Sequence, residues 1–138
     1  SVTVVADTGA LFALVDRSDR WHADVVAWWA TRAALVVVPV SVLPELCYLL
    51  QTRIGARAEQ AFLRAVADGE FTIEPIEPED YTRIAALSDA YADLPLGFTD
   101  ASIIAVAERL GTRDVLTTDR RHFGVVRPAH VRGLRLLP

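Results

Sequence analysis

The sequence predicts an α/β fold, a three-layer α/β/α sandwich built around a mainly parallel sheet of roughly five strands. Short runs of β-branched residues alternate along the chain with segments whose apolar residues recur at helical spacing. Hydrophobic residues make up 52% of the 138 residues, enough for a sheet that helices cover on both faces. Neither a linker nor a repeat interrupts this alternation, so we expect one domain over residues 1–138.

The first half of the chain contains two predicted strands and the helices around them. Val2–Ala6 and Leu35–Val38 are short β-branched runs, which are typical of buried strands. Pro44 suits the first turn of a helix, where its missing N–H costs little. The predicted elements are a strand at 2–6, a tight turn at 7–9, a short helix at 10–15, a helix at 19–32, a strand at 35–38, and a helix capped by Ser41 and ended by Gly55.

The second half of the chain continues the alternation. Its most apolar helix is predicted between Thr99, as the cap, and Gly111, as the stop. The predicted elements are a helix at 56–67, a strand at 71–73, a helix at 79–91, a loop at 93–98, a helix at 100–110, a strand at 115–117, a short turn or helix at 119–123 and an edge strand at 134–137.

The composition excludes several classes of protein. All 14 cations are arginines, so a Walker A phosphate loop, which needs a lysine, is excluded. The formal net charge of −4 argues against a general nucleic-acid coat protein. Cys47 is the only cysteine, which rules out an internal disulfide and a cysteine-rich zinc site. No apolar run reaches the ~20 residues of a membrane helix. We therefore expect a cytoplasmic protein without a membrane segment.

Four acidic residues are predicted to meet at one edge of the sheet. Asp7 follows the first strand, and Asp119 follows the fourth. Glu45 and Asp100 lie near the starts of predicted helices. Parallel sheets place their sites outside the carboxyl ends of the strands, and these helix starts face the same edge. We therefore expect the four carboxylates to converge although they are far apart in the sequence.

The chemistry of such a cluster points to a metal site. Carboxylates held together repel one another and take up protons unless cations neutralise them. Mg²⁺ and Mn²⁺ prefer oxygen ligands and suit this arrangement. A bound divalent ion lowers the pKa of a water molecule and stabilises charge on a phosphoryl oxygen. The pattern therefore predicts phosphodiester hydrolysis without a nucleophilic side chain.

Each of the four acids also has an ordinary structural explanation when it is considered alone. Asp7 suits a helix cap, and Asp100 suits a partner for a helix dipole. Asp119 suits a turn, and Glu45 suits a solvated helix surface. However, Glu45 and Asp100 border apolar stretches, and a metal site explains all four acids at one edge together.

Four segments resemble the PIN-domain family, and specifically the VapC-type toxins of bacterial toxin–antitoxin pairs. The first two are the apolar strand ending in Asp7-Thr8 and Pro44-Glu45-Leu46 with its leucine-rich helix. The third is Asp-Leu-Pro-Leu-Gly-Phe-Thr-Asp-Ala-Ser-Ile-Ile-Ala at 93–105, and the fourth is Leu-Thr-Thr-Asp-Arg-Arg-His-Phe at 116–123. The last two are the specific ones, and together the four span nearly the whole chain.

The resemblance implies a five-stranded parallel sheet between helices and an endoribonuclease that depends on Mg²⁺ or Mn²⁺. It implies metal-ligand or acid roles for the four acids. It also implies that Thr8 and Thr118 form hydrogen bonds to these acids or to an ordered water. An RNA substrate, a homodimer and an inhibitory VapB-type antitoxin that enters the active groove are further expectations from the family.

Other residues near the predicted site have less certain roles. Arg120 and Arg121 directly follow Asp119 and are candidates for contacts with RNA phosphates, with solvated surface charges as the alternative. Asp93 is predicted to be a loop residue outside the metal shell, with orientation of a metal ligand as the alternative. His122, close to Asp119, is expected at the surface, with a phosphate contact as the alternative. The three tryptophans are expected in the core or in a subunit interface, with stacking on RNA bases as the alternative.

Three functions stay open from the sequence. The first is a metal-dependent ribonuclease that inhibits translation as a toxin. The second is a structure-specific DNA nuclease of the flap-nuclease kind, although 138 residues leave little room for DNA-anchoring modules. The third is a non-catalytic PIN-like RNA-binding module, which the four retained acids argue against.

Overall fold

In the computed structural model, which describes residues 2–138, five parallel strands form one sheet. The strands are β1 (Thr3–Ala6), β2 (Leu35–Pro39), β3 (Thr72–Glu74), β4 (Asp114–Leu116) and β5 (Arg135–Leu137). Their order across the sheet is β3-β2-β1-β4-β5, so that β5 is an edge strand as predicted. The predicted α/β class with a parallel, five-stranded sheet is confirmed.

Helices occupy most of the connections between the strands. Residues 2–138 form α1 (Thr8–Val15), α2 (His22–Thr31), α3 (Leu43–Leu49), α4 (Ala56–Ala67), α5 (Pro78–Ala90), α6 (Phe98–Leu110) and α7 (Arg120–Phe123). A 3-10 turn, Val40–Val42, precedes α3, and a π-helical turn, Leu50–Ile54, extends it to Gly55. Gly55, at a φ of 147° that favours glycine, is the predicted stop. None of the helices described has the length and apolar character that crossing a bilayer requires.

The strand order decides which face of the sheet each helix covers. From β1 through β2 to β3 the chain moves in one direction, and after β3 it crosses back to β4 and then β5. Because connections between parallel strands are right-handed, α1 to α4 cover one face and α5 and α6 cover the other. The helix contacts agree, since α1 packs on α2 and α3 while α5 packs on α6.

The core is centred on β1 and α6. Val4, Val5 and Ala6 of β1 are fully buried. Every residue of α6 from Ala101 to Ala107 is also buried, and the helix contacts β1 and β2. A helix that is apolar on nearly all sides is stable only inside the protein. Asp100 therefore lies at the start of a rigid, buried element.

Two predicted helix caps are wrong. Ser41 lies in the 3-10 turn, and Thr99 lies inside α6, whose N-cap is Gly97. Ser41 instead takes part in a tertiary contact, because its Oγ lies 2.6 Å from Ser102 Oγ, and Ser102 Oγ in turn donates to the Thr99 carbonyl at 2.6 Å within α6. This contact fastens the start of α3 to the start of α6, which the local sequence pattern does not reveal.

Two helices begin at positions other than those predicted. The helix predicted from Asp19 begins at His22, because the Asp19 carbonyl accepts the His22 N–H in a turn that precedes the helix. Helix α5 begins at Pro78, where Glu77 and Asp80 form a capping box by exchanging side-chain and backbone hydrogen bonds.

Candidate metal centre

The carboxyl ends of β1 and β4 meet where the strand order reverses. The chain leaves β1 towards β2 and leaves β4 towards β5, so the two connections diverge. Such a switch point opens a crevice at the carboxyl edge of a parallel sheet. Asp7 directly follows β1, and its N–H donates to the Leu116 carbonyl at the end of β4 at 2.9 Å. Asp119 follows β4, so both residues lie at this edge.

Asp7 is the most buried acid of the site, with 6% of its surface exposed. Its Oδ1 accepts the Thr8 N–H at 2.7 Å, and its Oδ2 accepts the Thr117 hydroxyl at 2.9 Å. Burial raises the pKa of Asp7 to about 7, and the Asp100 carboxylate adds to the rise. The hydrogen bonds from Thr117 and Thr8 lower this pKa, and Asp119 raises it slightly. A nearby cation would relieve the cost of ionising this buried carboxyl.

Asp100, Asp119 and His122 form a compact cluster beside Asp7. One ligand atom from each lies within 4.8 Å of the others. His122 Nδ1 is 3.0 Å from Asp100 Oδ2 and 3.4 Å from Asp119 Oδ2. The side chains of Asp100, Asp119 and His122 are 23%, 34% and 20% exposed, so a substrate in solution can reach them. From the sequence, His122 was expected at the surface, whereas in the structure it lies partly buried beside two of the acids.

Asp119 combines a structural role with a free carboxylate oxygen. It is the N-cap of α7, and its Oδ1 accepts the N–H groups of Arg121 and His122 at 3.1 and 3.2 Å. This leaves Oδ2 on the side of His122. The turn-forming role suggested by the sequence is therefore present, and it fixes the direction of the carboxylate.

A threonine that the sequence analysis did not select joins two of the acids. Thr117 is fully buried, and its Oγ1 donates to Asp7 while it accepts the Asp119 N–H at 2.9 Å. The residue predicted from the sequence was Thr118, whose Oγ1 lies against Gly9. Successive side chains of an extended chain point to opposite sides, and a pattern of two adjacent threonines does not tell which one faces the site.

Thr8 contacts Asp7 through its backbone N–H and not through its hydroxyl. Its N–H donates to Asp7, whereas its Oγ1 is buried without a hydrogen-bond partner among residues 2–138. Buried hydroxyls are nearly always satisfied, so a group next to Asp7 that can form hydrogen bonds, such as a coordinated water, fits this position.

Glu45 is not part of the cluster that the other acids form. It lies exposed in the first turn of α3, and no hydrogen bond or ion pair to its side chain occurs within the described part of the chain. The contact between Ser41 and Ser102 holds the start of α3 near the start of α6. The role predicted for Glu45 therefore stays a prediction.

The arginines that follow Asp119 lie at the surface. Arg120 donates to the Pro138 carbonyl at 2.9 Å, and its guanidinium lies 5.4 Å from the centre of the Trp21 ring. Arg121 is exposed, and so is Asp93 on its loop. The phosphate contacts predicted for Arg120 and Arg121 therefore stay predictions.

The residues present fit a divalent metal ion. Three carboxylates supply the oxygen ligands that Mg²⁺ and Mn²⁺ prefer, and an imidazole is acceptable to Mn²⁺. The raised pKa of Asp7 and the unpartnered Thr8 hydroxyl are both relieved by a hydrated cation. Two cavities of about 280 and 270 Å³ lie instead near the amino ends of the strands, where Val2, Asp114 and Arg135 line them.

Comparison with known proteins identifies relatives over almost the whole chain. The model of the PIN domain matches residues 4–127. Ribonuclease VapC26 of Mycobacterium tuberculosis is 37% identical over 125 residues, which cover 91% of this chain and 93% of that protein.

Solved structures of similar fold include toxins and toxin–antitoxin complexes. VapC20 of Mycobacterium tuberculosis, described as a toxin that cleaves the sarcin–ricin loop, has a TM-score of 0.79 at 24% identity and covers 94% of this chain and 98% of its own. VapBC2 of Rickettsia felis has a TM-score of 0.70 at 13% identity, covering 99% and 100%. A toxin–antitoxin complex from Klebsiella pneumoniae has a TM-score of 0.68 at 22% identity, covering 93% and 99%. At these identities the structures support the fold.

Proposed function

The chain belongs to the PIN-domain family, among its VapC-type ribonucleases, and on this premise we propose that it is a metal-dependent endoribonuclease that acts as a toxin. The observation that carries the proposal is the position of Asp7, Asp100 and Asp119. Three carboxylates from distant parts of the chain lie around the switch point of the sheet, and Asp7 feels the charges of the other two. This is the arrangement that a divalent ion stabilises.

Each residue of the site has a defined task in this proposal. Asp7, Asp100 and Asp119 would hold Mg²⁺ or Mn²⁺, and Glu45 would complete the shell or orient a water when substrate is bound. The ion, when bound, activates water and stabilises negative charge on the phosphate. Thr117 holds the carboxylate of Asp7 in position.

The remaining parts of the proposal concern location and partners. We propose that residues 1–138 form one domain that acts in the cytoplasm as a homodimer. Cleavage of an RNA needed for translation would make the protein toxic, and a VapB-type antitoxin would inhibit it. The toxin–antitoxin complexes among the structural neighbours support such a partner. Because VapC20 is described as a toxin that cleaves the sarcin–ricin loop, an RNA containing that loop is the first substrate to assay.

Cleavage assays with matched variants test the proposed activity. We expect the purified protein to cut RNA with Mg²⁺ or Mn²⁺ and to lose activity in EDTA. The variants Asp7→Asn, Asp100→Asn and Asp119→Asn should each lose activity by about 100-fold or more, because each removes a charged ligand. Asp89→Asn, on an exposed part of α5, is the control and should retain full activity.

The same assays separate the alternatives. Full activity of Asp7→Asn would contradict the assignment of the site. Cleavage of a flapped DNA in preference to RNA would favour a structure-specific DNA nuclease, and RNA binding without cleavage would favour a non-catalytic module. Glu45→Gln decides whether the exposed Glu45 takes part, since a loss comparable to that of Asp119→Asn requires it in the working site.

A further inference from the structure

His122 lies among the acids without having been part of the predicted site. Its Nδ1 faces two carboxylate oxygens, at 3.0 Å from Asp100 Oδ2 and 3.4 Å from Asp119 Oδ2. The other two histidines are occupied elsewhere, because His22 Nδ1 contacts the Ala13 carbonyl and His130 Nε2 contacts the Thr112 carbonyl. Only His122 therefore offers a ring nitrogen to this cluster within residues 2–138.

The short helix α7 fixes the direction of the imidazole. Asp119 caps α7, and His122 is the third residue of the helix, so one turn presents both side chains to Asp100. Phe123, the next residue, is fully buried and anchors the turn in the core. At the end of the turn, a Cβ on Gly124 would collide with the Arg120 carbonyl oxygen, so glycine allows this close turn of the backbone. The imidazole is thus positioned by packing as well as by its contacts with the acids.

The spacing of these atoms matches that of ligands around one ion. Ligands about 2.1 Å from an octahedral metal and next to each other are about 3 Å apart, and opposite ligands are about 4.2 Å apart. The two distances from Nδ1, 3.0 and 3.4 Å, are close to the separation of neighbouring ligands. All three ligand atoms lie within 4.8 Å of one another. Small side-chain movements would bring the three atoms onto a common ion.

We propose that His122 Nδ1 is a direct ligand of the divalent ion, together with Asp100 and Asp119, and that this nitrogen makes the site select Mn²⁺ over Mg²⁺. The inference rests on the proposed function, because it takes the divalent site as given. Imidazole nitrogen binds transition metals well, whereas Mg²⁺ prefers an octahedron of oxygens. One nitrogen ligand therefore adds more to the affinity for Mn²⁺ than to that for Mg²⁺.

Pulsed electron paramagnetic resonance of bound Mn²⁺ tests direct ligation in the unmodified protein. Protein carrying ¹⁵N only in its histidines should show nitrogen hyperfine coupling of the size that a coordinated imidazole gives. The coupling should disappear in His122→Asn and persist in His130→Asn. Mn²⁺ bound without this nitrogen coupling would overturn the inference and would assign His122 to orienting the carboxylates from outside the metal shell.

Metal titrations of the same variants test selectivity. Replacing His122 with Asn should weaken Mn²⁺ binding by at least about tenfold, with a smaller effect on Mg²⁺ of about threefold or less. His130→Asn should bind both ions as the unmodified protein does. Equal losses for both ions would overturn the selectivity. If the unmodified protein binds neither ion, the proposed function fails with it, whereas binding that depends on Asp100 but not on His122 defeats the inference alone.

Discussion

Asp7 shows, at the scale of one residue, how the burial of a carboxyl group conflicts with its ionisation. The side chain is almost fully buried, so its ionised form is unfavourable in the absence of a cation. The fold nevertheless supplies two hydrogen bonds that favour the carboxylate, from Thr8 and Thr117. The position is thus adapted to a charge that another group has to balance.

The pKa of Asp7 predicts a pH-dependent stability in metal-free protein. Its pKa of about 7 lies above the ordinary value of 3.8, so between about pH 4 and 7 the folded state binds more protons than the unfolded state. The contribution of Asp7 to stability is therefore present below pH 4 and lost as the pH rises to 7, by on the order of 4 kcal/mol.

Replacing Asp7 with Asn isolates this effect. In EDTA at pH 8, Asp7→Asn should unfold at a higher denaturant concentration than the unmodified protein, and the difference should nearly vanish at pH 4. Added Mn²⁺ should stabilise only the unmodified protein. An Asp7→Asn variant that is less stable than the unmodified protein at pH 8 would contradict the burial argument.

Thr117 is predicted to couple Asp7 to Asp119. Thr117→Val keeps the shape of the side chain but removes the hydrogen bond to Asp7 and the acceptor for the Asp119 N–H. We expect activity to fall by about 10- to 100-fold. In EDTA, the pH profile of stability should also move to higher pH, because the hydrogen bond that is lost lowers the pKa of Asp7 in the metal-free protein. Thr117→Ser retains the hydroxyl and should recover most of the activity; an unchanged profile in Thr117→Val would count against the coupling.

The sequence predicted that acids converge at one edge of the sheet, but it did not predict all of the residues that contact them there. That Asp7 and Asp119 lie near each other was predictable because each follows a strand, and the carboxyl ends of parallel strands share an edge. His122 and Thr117 were not, because their roles depend on side-chain directions set by the turn of α7 and the end of β4. His122 follows Asp119 by three residues, and this spacing on a helix could have indicated that the two side chains lie on the same side.

At the scale of elements, α1 has to approach the segment after β4 closely. A Cβ on Gly9 would lie 2.7 Å from Thr118 Oγ1, so glycine leaves the space that this approach needs. Gly9→Ala should destabilise the protein by about 1–3 kcal/mol through overpacking. Adding Thr118→Ala should restore part of the loss, and Gly133→Ala, where a Cβ meets no atom within 4 Å, is the control. Denaturant unfolding measures all of these, and equal stability of Gly9→Ala and Gly133→Ala would refute the close contact.

The success of the element predictions depended on whether local signals decided the structure. Gly55 and Gly111 end helices as predicted, at φ values of 147° and 70°, because the chain itself requires this conformation. Ser41 and Thr99 have the composition of caps, yet the Ser41 hydroxyl contacts Ser102 of another element, and α6 already begins at the residue before Thr99. Such contacts depend on the tertiary structure, which a pattern along the chain does not contain.

At the scale of the whole molecule, one arginine joins the edge of the sheet to the layer of α5 and α6. Arg109 donates to Glu74 at 2.8 Å and to Asp80 at 3.1 Å, and Asp80 is only 3% exposed. Arg109→Leu would leave this buried carboxylate without a counter-charge and should destabilise the protein by about 3 kcal/mol. Asp80→Asn in the same chain should recover part of the loss, whereas Arg113→Leu, at an exposed position, should cost little. Chemical unfolding of the set checks this, and no loss in Arg109→Leu would disprove it.

The topology of the whole molecule explains why the convergence of Asp7 and Asp119 could be predicted. Alternating strands and helices predicted the parallel sheet, and the parallel sheet predicted where its functional edge lies. The strand order β3-β2-β1-β4-β5, which places Asp7 and Asp119 on neighbouring strands, became visible only in the structure. The exposed position of Glu45 agrees with the solvated helix surface that the sequence offered as the alternative to a metal ligand.

The central claim is that Asp7, Asp100 and Asp119 hold one divalent ion at the switch point of the sheet. A crystal structure of the protein soaked in Mn²⁺, with anomalous diffraction recorded for manganese, tests this most directly. We predict an anomalous peak bounded by oxygen atoms of all three carboxylates, which disappears in crystals of Asp7→Asn. A crystal that binds no manganese there, or that binds it only at another surface of the protein, would contradict the account.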